Sequence, residues 1–373
     1  MQFEKYPFEK LNELLAHIEP NEAFMPLTLT IGEPQFPTPD FIQKKLCEYA
    51  PLLAKYPKTA GEDVLKEAVL GFVQRRFGVA LKPQELVLTF GTREALFNFP
   101  QFLLADKDAP VMAFTNPFYQ IYEGAAIASK AKIVYLNLTK ENNFKPQIDE
   151  RLKACDLVII NSPNNPTASL MSKEELQAWV EAALEYDFVL LNDECYSEIY
   201  TSAPPASLLE ASVAVGNEEF KNILVVNSIS KRSNAPGLRS GFIAGDSTIL
   251  KEYQRYRTYV GCASPLPLQH AAAAAWSDEA HVTQNRDRYR KNFKIAHEIL
   301  GVPIPQATFY LWLEVGDDLA FTERAYKEYN IKVLPGSFLG REGIGKGFVR
   351  IALVYDEAKT KEACERLKEV MHD

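Results

Sequence analysis

A lysine, four serines and two arginines crowd one short stretch, Ser228-Ile229-Ser230-Lys231-Arg232-Ser233-Asn234-Ala235-Pro236-Gly237-Leu238-Arg239-Ser240-Gly241. A primary amine such as that of Lys231 can condense with a carbonyl when it is held out of water and partly uncharged. The Ser228 hydroxyl and the Arg239 guanidinium can hold an anion beside it. The stretch follows the apolar run Asn222 to Val226, which reads as a buried strand. A polar loop at the end of such a strand is where ligands sit in open α/β sheets. A single lysine is ordinarily only a solvated charge, so the chemistry must draw on partners elsewhere in the chain.

Five other stretches place polar side chains where a strand is expected to end or cross a core. Thr89-Phe90-Gly91-Thr92-Arg93-Glu94-Ala95 joins a strand to a helix start, whose free N–H groups attract phosphate. Asn116-Pro117-Phe118-Tyr119 offers an aromatic that can stack on a flat ring. Asn161-Ser162-Pro163-Asn164-Asn165-Pro166-Thr167 offers the Asn165 amide. Asn192-Asp193-Glu194-Cys195-Tyr196 sets an acid at a buried strand end, which is costly unless it is paired. Asp193 could hold a pyridinium nitrogen protonated, and Tyr196 could donate to the same ring oxygen as Asn165. Gly347-Phe348-Val349-Arg350-Ile351-Ala352-Leu353 puts an arginine inside an apolar strand, where it suits a planar carboxylate. Taken singly, each has an ordinary alternative: a βα turn, a core aromatic, an Asn-Pro turn, a helix N-cap, a buried ion pair.

The elements that must carry these residues follow from periodicity. Apolar runs predict strands at 85–89, 111–115, 132–136, 156–160, 188–192, 222–226 and 241–245, with helices between several of them. The helix Lys173 to Tyr186 is introduced by a capping box, Ser172 with Glu175. Glu62 to Phe77 shows one apolar face, and Phe8 to Ile18 reads as a leading helix. The alternation predicts an α/β fold with a mostly parallel seven-stranded sheet covered by helices. After about residue 265 the rhythm changes. A long helix Glu279 to Leu300, strands over 308–315, 331–334 and 347–353, and a final helix predict a smaller α+β domain. The expected division is an N-terminal arm with part of the small domain (1–40), a large domain (41–265) and a small C-terminal domain (266–373).

With 373 residues, 47% hydrophobic and 24% charged, the composition is that of an ordinary globular protein. A formal net charge of −8 argues against a nucleic-acid partner. Met1-Gln2-Phe3-Glu4-Lys5-Tyr6-Pro7 has no apolar signal-peptide region, and no run approaches membrane-spanning length, so no membrane partner is expected. Five scattered cysteines read as reduced thiols of a cytoplasmic protein, and no His/Cys cluster suggests a metal.

In their joint order, from Gly32-Glu33-Pro34 to Arg350, these motifs resemble the fold-type I pyridoxal 5'-phosphate enzymes, specifically the class I/II aminotransferases. The resemblance implies that Lys231 carries the coenzyme covalently and that Asp193 pairs with its ring nitrogen. Asn165 and Tyr196 would bind the ring oxygen, and Tyr119 would stack on the ring. Gly91, Thr92, Ser228 and Arg239 would hold the phosphate, and Arg93 and Ser230 would also contact the coenzyme. Gly32, Asn165 and Arg350 would meet the substrate, with Arg350 on its α-carboxylate. Tyr56 would reach the phosphate in a neighbouring subunit, which implies a homodimer with shared sites. Ala168 stands where the family usually has glycine, and it is accommodated if its φ is negative.

A narrower similarity, to the N-succinyl-diaminopimelate aminotransferases of bacterial lysine biosynthesis, rests on three stretches. They are Ser230 to Phe242, Tyr256-Arg257-Thr258-Tyr259-Val260-Gly261-Cys262-Ala263, and Ala275-Trp276 with Asn285-Arg286. Val260 departs from the histidine expected there. This similarity implies small-molecule amino-acid and oxo-acid substrates, with 2-oxoglutarate and glutamate as the second pair. The substrate's second acidic end requires a further cation: Arg93, Arg232, Arg257 and Arg341 are candidates, with Arg257 or Arg232 favoured. An aspartate or other amino-acid aminotransferase and a carbon–sulfur β-lyase share the same motifs. A non-catalytic regulator is opposed by the intact Lys231 and Asp193.

Overall fold

The computed structural model describes residues 2–372. Helix α1 (Pro7–Leu15) leads, followed by the short strand β1 (Leu27–Thr28). The helix stops short of the expected Ile18, and Pro20 lies just beyond, where a helix cannot easily continue. Helices α2 (Asp40–Tyr49) and α3 (Asp63–Phe77) then precede the alternating region. That region runs β2 (Leu86–Thr89), α4 (Thr92–Leu103), β3 (Val111–Asn116), α5 (Ile121–Ala128), β4 (Lys132–Asn137), β5 (Leu157–Asn161), α6 (Lys173–Tyr186) and β6 (Val189–Asp193). It continues with α7 (Leu208–Ala214), β7 (Ile223–Ser228), the single turn α8 (Ile229–Arg232) and β8 (Gly241–Gly245).

These strands form one seven-stranded sheet in the order β2-β8-β7-β6-β5-β3-β4. All pairings are parallel except those of β8, which runs antiparallel to both β2 and β7. Strands β5 to β8 are buried along their whole length, as near-continuous apolar sequence requires when helices cover both faces. On one face Phe72 of α3 and Trp179 of α6 pack with Trp276. On the other, Phe99 of α4 and Tyr122 of α5 pack with Tyr253. Helix α6 has the expected bounds, and its capping box is formed: the Glu175 N–H donates to Ser172 Oγ at 3.2 Å, and the Ser172 N–H to Glu175 Oε2 at 2.6 Å.

Helices α9 (Ser247–Val260), α10 (Leu266–Ser277) and α11 (Ala280–Leu300) follow. Then come β9 (Tyr310–Glu314), α12 (Asp318–Tyr329), β10 (Ile331–Lys332), β11 (Leu334–Pro335), β12 (Phe348–Ala352) and α13 (Glu357–His372). Strands β11, β12 and β9 form a second, antiparallel sheet, with its own core against α11 and α13. The run expected as one strand over 331–334 is two. β10 pairs with β1, β11 pairs with β12, and the chain changes partner at Val333. Pro335 has no N–H to donate, so β11 can serve only as an edge.

Candidate active site

The carboxyl ends of β3, β5, β6 and β7 share one edge of the large sheet, and a cavity of about 910 Å³ opens there. Of the residues singled out from sequence, twelve line it: Gly32, Thr92, Arg93, Tyr119, Asn165, Asp193, Tyr196, Ser228, Ser230, Lys231, Arg239 and Arg350. Gly91 lies directly behind. Its φ is +76°, and a Cβ there would strike the Arg239 guanidinium. Only glycine satisfies both conditions. Tyr56 lies outside this cavity and is fully exposed.

Lys231 sits on the one-turn helix α8, directly after β7. Its amine donates to the Gly32 carbonyl and faces the Phe309 ring at 5.6 Å. Burial, more than the neighbouring Arg350 and Arg239, holds its pKa down at about 8. An amine so placed is partly neutral near physiological pH, which nucleophilic and base chemistry both require.

Asp193 ends β6 and is buried. Its Oδ2 accepts from the Tyr122 hydroxyl at 2.8 Å and its Oδ1 from the Cys195 N–H at 3.2 Å. Both partners are neutral, and burial raises its pKa. Such a carboxylate suits a cationic ligand atom. Tyr196 donates to, or accepts from, the Tyr310 hydroxyl at 2.9 Å, and burial pushes its pKa well up. Asn165 presents its Oδ1 to Arg350 Nη1 at 2.7 Å. Arg350 Nη2 donates to the Thr30 carbonyl at 2.5 Å, while its buried Nε has no partner among the described residues. Arg93 Nε donates to the Tyr119 hydroxyl at 2.9 Å. Arg239 has a left-handed φ of 50° and binds the Pro236 and Phe90 carbonyls.

Two of the sequence expectations are corrected here. Arg257 is bound by both oxygens of Glu94, at 2.6 and 3.0 Å, and by the Cys262 carbonyl at 2.8 Å. Arg232 is fully buried on the Ala275 and Asp278 carbonyls and Glu279. Neither lines the cavity, so neither reads a distal carboxylate there. Arg341 is likewise held, by Glu123 at 2.5 Å, which leaves Arg93 as the one of the four that faces the cavity. The other correction concerns Ala168, whose φ is +59°, in the left-handed region and not the negative one.

Sequence reading missed three contributors. Tyr122 holds Asp193. It lies three residues after Tyr119, a helical spacing that could have flagged it. Tyr310 holds Tyr196, from the strand expected over 308–315. Cys195 lies between Thr92 Oγ1 at 3.1 Å and Ser228 Oγ at 3.7 Å.

Pyridoxal phosphate is flat, anionic at one end, and carries a ring nitrogen and a ring hydroxyl. The lining answers each of these features. The start of α4 with Thr92, Ser228 and Arg239 suits the phosphate, and buried Asp193 suits a protonated ring nitrogen. The Lys231 amine suits the aldehyde, and the orphaned Arg350 Nε leaves a donor for a bound carboxylate.

The family model described as aminotransferase class I and II matches residues 25–367. OxyQ of Streptomyces rimosus, a 4-dedimethylamino-4-oxo-anhydrotetracycline transaminase, is 31% identical over 346 residues, spanning 91% of this chain and 92% of its own. The LL-diaminopimelate aminotransferase of Aquifex aeolicus is 32% identical over 361 residues, spanning 92% and 90%. The crystal structure of the aminotransferase AspB from Helicobacter pylori superposes with a TM-score of 0.98 at 50% identity, over 100% of both chains.

Proposed function

The chain belongs to the class I and II aminotransferases, and from that premise we propose that it transaminates an elongated tricarboxylic amino acid, N-succinyl-LL-diaminopimelate, against 2-oxoglutarate. The observation that carries the amino-transfer reading is the Lys231 amine, buried at a pKa of about 8 within one cavity with Asp193 and Arg350. Pyridoxal phosphate, the family's coenzyme, acts when bound as an electron sink for the substrate's α-carbon.

In this reading Lys231 Nζ would hold the coenzyme covalently and, once released, would move the α-proton from the substrate to the coenzyme carbon that bore the aldehyde. The low pKa keeps Nζ able to accept that proton near neutral pH. Asp193 keeps the coenzyme's ring nitrogen protonated, and Tyr122 fixes the carboxylate that does so. Asn165 and Tyr196 donate to the ring oxygen, and Tyr119 covers the ring. Gly91, Thr92, Ser228, Ser230 and Arg239 hold the phosphate. Arg350 orients the substrate by its α-carboxylate, so that the α-hydrogen faces Lys231.

Two observations support a long substrate with a second acid. The cavity, at about 910 Å³, extends past the coenzyme residues to Tyr6, Gln101 and Tyr256. Arg93 faces it with a cation whose recorded side-chain partner is the neutral Tyr119 hydroxyl. We assign Arg93 to the distal carboxylate. The exposed Tyr56, Leu53 and Tyr259 support a homodimer in which Tyr56 enters the partner's site.

The test is a visible spectrum of the purified holoenzyme titrated with glutamate, N-succinyl-LL-diaminopimelate and aspartate. The coenzyme band bleaches with the first two at lower concentrations than with aspartate. Bleaching by aspartate alone overturns the substrate assignment. Release of pyruvate from cystathionine without an oxo-acid acceptor would replace transamination by β-elimination.

A further inference from the structure

Two stretches of the narrower similarity, Ser230 to Phe242 and Ala275-Trp276 with Asn285-Arg286, meet in a buried polar tether behind Lys231. Arg232 Nη1 donates to the Ala275 carbonyl at 2.6 Å, and its guanidinium lies over the Phe72 and Trp276 rings at 4.9 and 5.4 Å. Ser233 Oγ meets His281 Nε2 at 2.9 Å, and His281 Nδ1 meets Asp278 Oδ1 at 2.6 Å. Asn234 Nδ2 donates to Asn285 Oδ1 at 2.8 Å, and Asn285 Nδ2 donates to the Arg232 carbonyl at 3.2 Å. The three residues that follow Lys231 are thus each fastened to the segment 275–285. The Ser-His-Asp arrangement has a nucleophile's geometry, but Ser233 has no exposed surface, so no substrate reaches it.

The same helix holds the other end of the site. Asn292 of α11 is fully buried and donates to the Leu353 carbonyl at 3.0 Å and the Tyr355 carbonyl at 2.8 Å. Leu353 directly follows β12, the strand that carries Arg350. His281, Asn285 and Asn292 are spaced by four and seven residues, so they lie on one face of α11. The face spans roughly 16 Å at the rise of an α-helix.

We propose that this face of α11 is a ruler that sets the position of the Lys231 amine against the Arg350 guanidinium. Ser233, Asn234, His281 and Asn285 are positioning residues for Lys231, and Asn292 is a positioning residue for Arg350. The inference rests on the roles proposed above for those two residues. Its physical basis is that buried side chains hydrogen-bonded to one another have few alternative arrangements, so they fix geometry where apolar packing would allow slippage, although Arg232 Nε, Asn234 Oδ1 and Asn292 Oδ1 have no partner among the described residues. Proton transfer by Lys231 is sensitive to displacements on the order of 1 Å. Substrate binding by Arg350 depends on the position of β12.

The experiment compares Asn285→Ala, the milder Ser233→Ala and Asn292→Ala with wild type. The measurements are kcat and KM, thermal melting, and acetic anhydride labelling of Lys231 in the coenzyme-free protein across pH, read by peptide mapping. Asn285→Ala and Ser233→Ala should lower kcat by about ten-fold with KM held. They should also move the Lys231 labelling midpoint by at least about half a pH unit. Asn292→Ala should raise KM by about ten-fold, leaving the labelling midpoint in place. If all three only lower the melting temperature, with labelling midpoint, kcat and KM as in wild type, the ruler is overturned. Borohydride reduction of the wild-type holoenzyme separates the two levels. Coenzyme fixed to a residue other than Lys231 defeats the proposed roles themselves, whatever the variants show.

Discussion

Burial of the Lys231 amine has a signature in stability as well as in reactivity. Unfolded, the amine binds its proton with a pKa near 10.5; folded, with a pKa of about 8. Between those values the unfolded chain holds more protons, so the folded state gains stability as pH rises through that window. Coenzyme-free wild type should therefore gain on Lys231→Met by roughly 3 kcal/mol between pH 8 and pH 10.5, measured by urea unfolding at a series of pH values. A difference that stays flat across the window would place the amine in water. Ala168 makes the second residue-scale case. Its φ of +59° is unfavourable for any residue with a Cβ. Ala168→Gly should raise the unfolding free energy by up to about 1 kcal/mol, since relief of strain is partly offset by the freedom of glycine in the unfolded chain. A lower melting temperature would refute it. Neither backbone angle nor burial is written in the residue types, which is why the sequence could state a negative φ at Ala168 only as a condition, and the structure does not meet it.

At the scale of elements, local signals were legible and distant partners were not. Ser172 and Glu175 stand three residues apart in the chain, and α6 begins where they require. Ser172→Ala should cost about 1 kcal/mol of stability with activity unchanged, because no residue of α6 lines the cavity. Activity lost in step with stability would count against that separation. Gly91→Ala tests the opposite kind of position. The added methyl meets the Arg239 guanidinium at the head of α4, so coenzyme affinity should fall by at least about ten-fold, measured by fluorescence titration of the coenzyme-free protein. Unchanged affinity would remove Arg239 and the α4 start from the proposed phosphate site. Arg257 illustrates the limit of such reading. Its partner Glu94 lies 163 residues away, and no spacing rule connects them. The one-turn α8 was also hidden, since four residues are too few for a periodicity.

At the scale of the molecule, the seven-stranded sheet and its two helical layers were readable because the strands are predominantly apolar and the breaks between them polar. The proposed contribution of a second subunit rests on Tyr56, which a single chain leaves fully exposed. Mixing Lys231→Ala with Tyr56→Ala subunits tests it. Hybrid dimers carry one site with both residues intact, so activity at limiting coenzyme should exceed the sum of the two parents. Strict additivity after subunit exchange, with sedimentation showing dimers, would exclude Tyr56 from the shared site. The reversed strand β8 bears on how such an enzyme can diversify. Lys231 and Arg239 lie on a single connection between two hydrogen-bonded neighbours, β7 and β8. Recombination that exchanges flanking helices therefore leaves Lys231 and Arg239 inherited together, as one indivisible cassette.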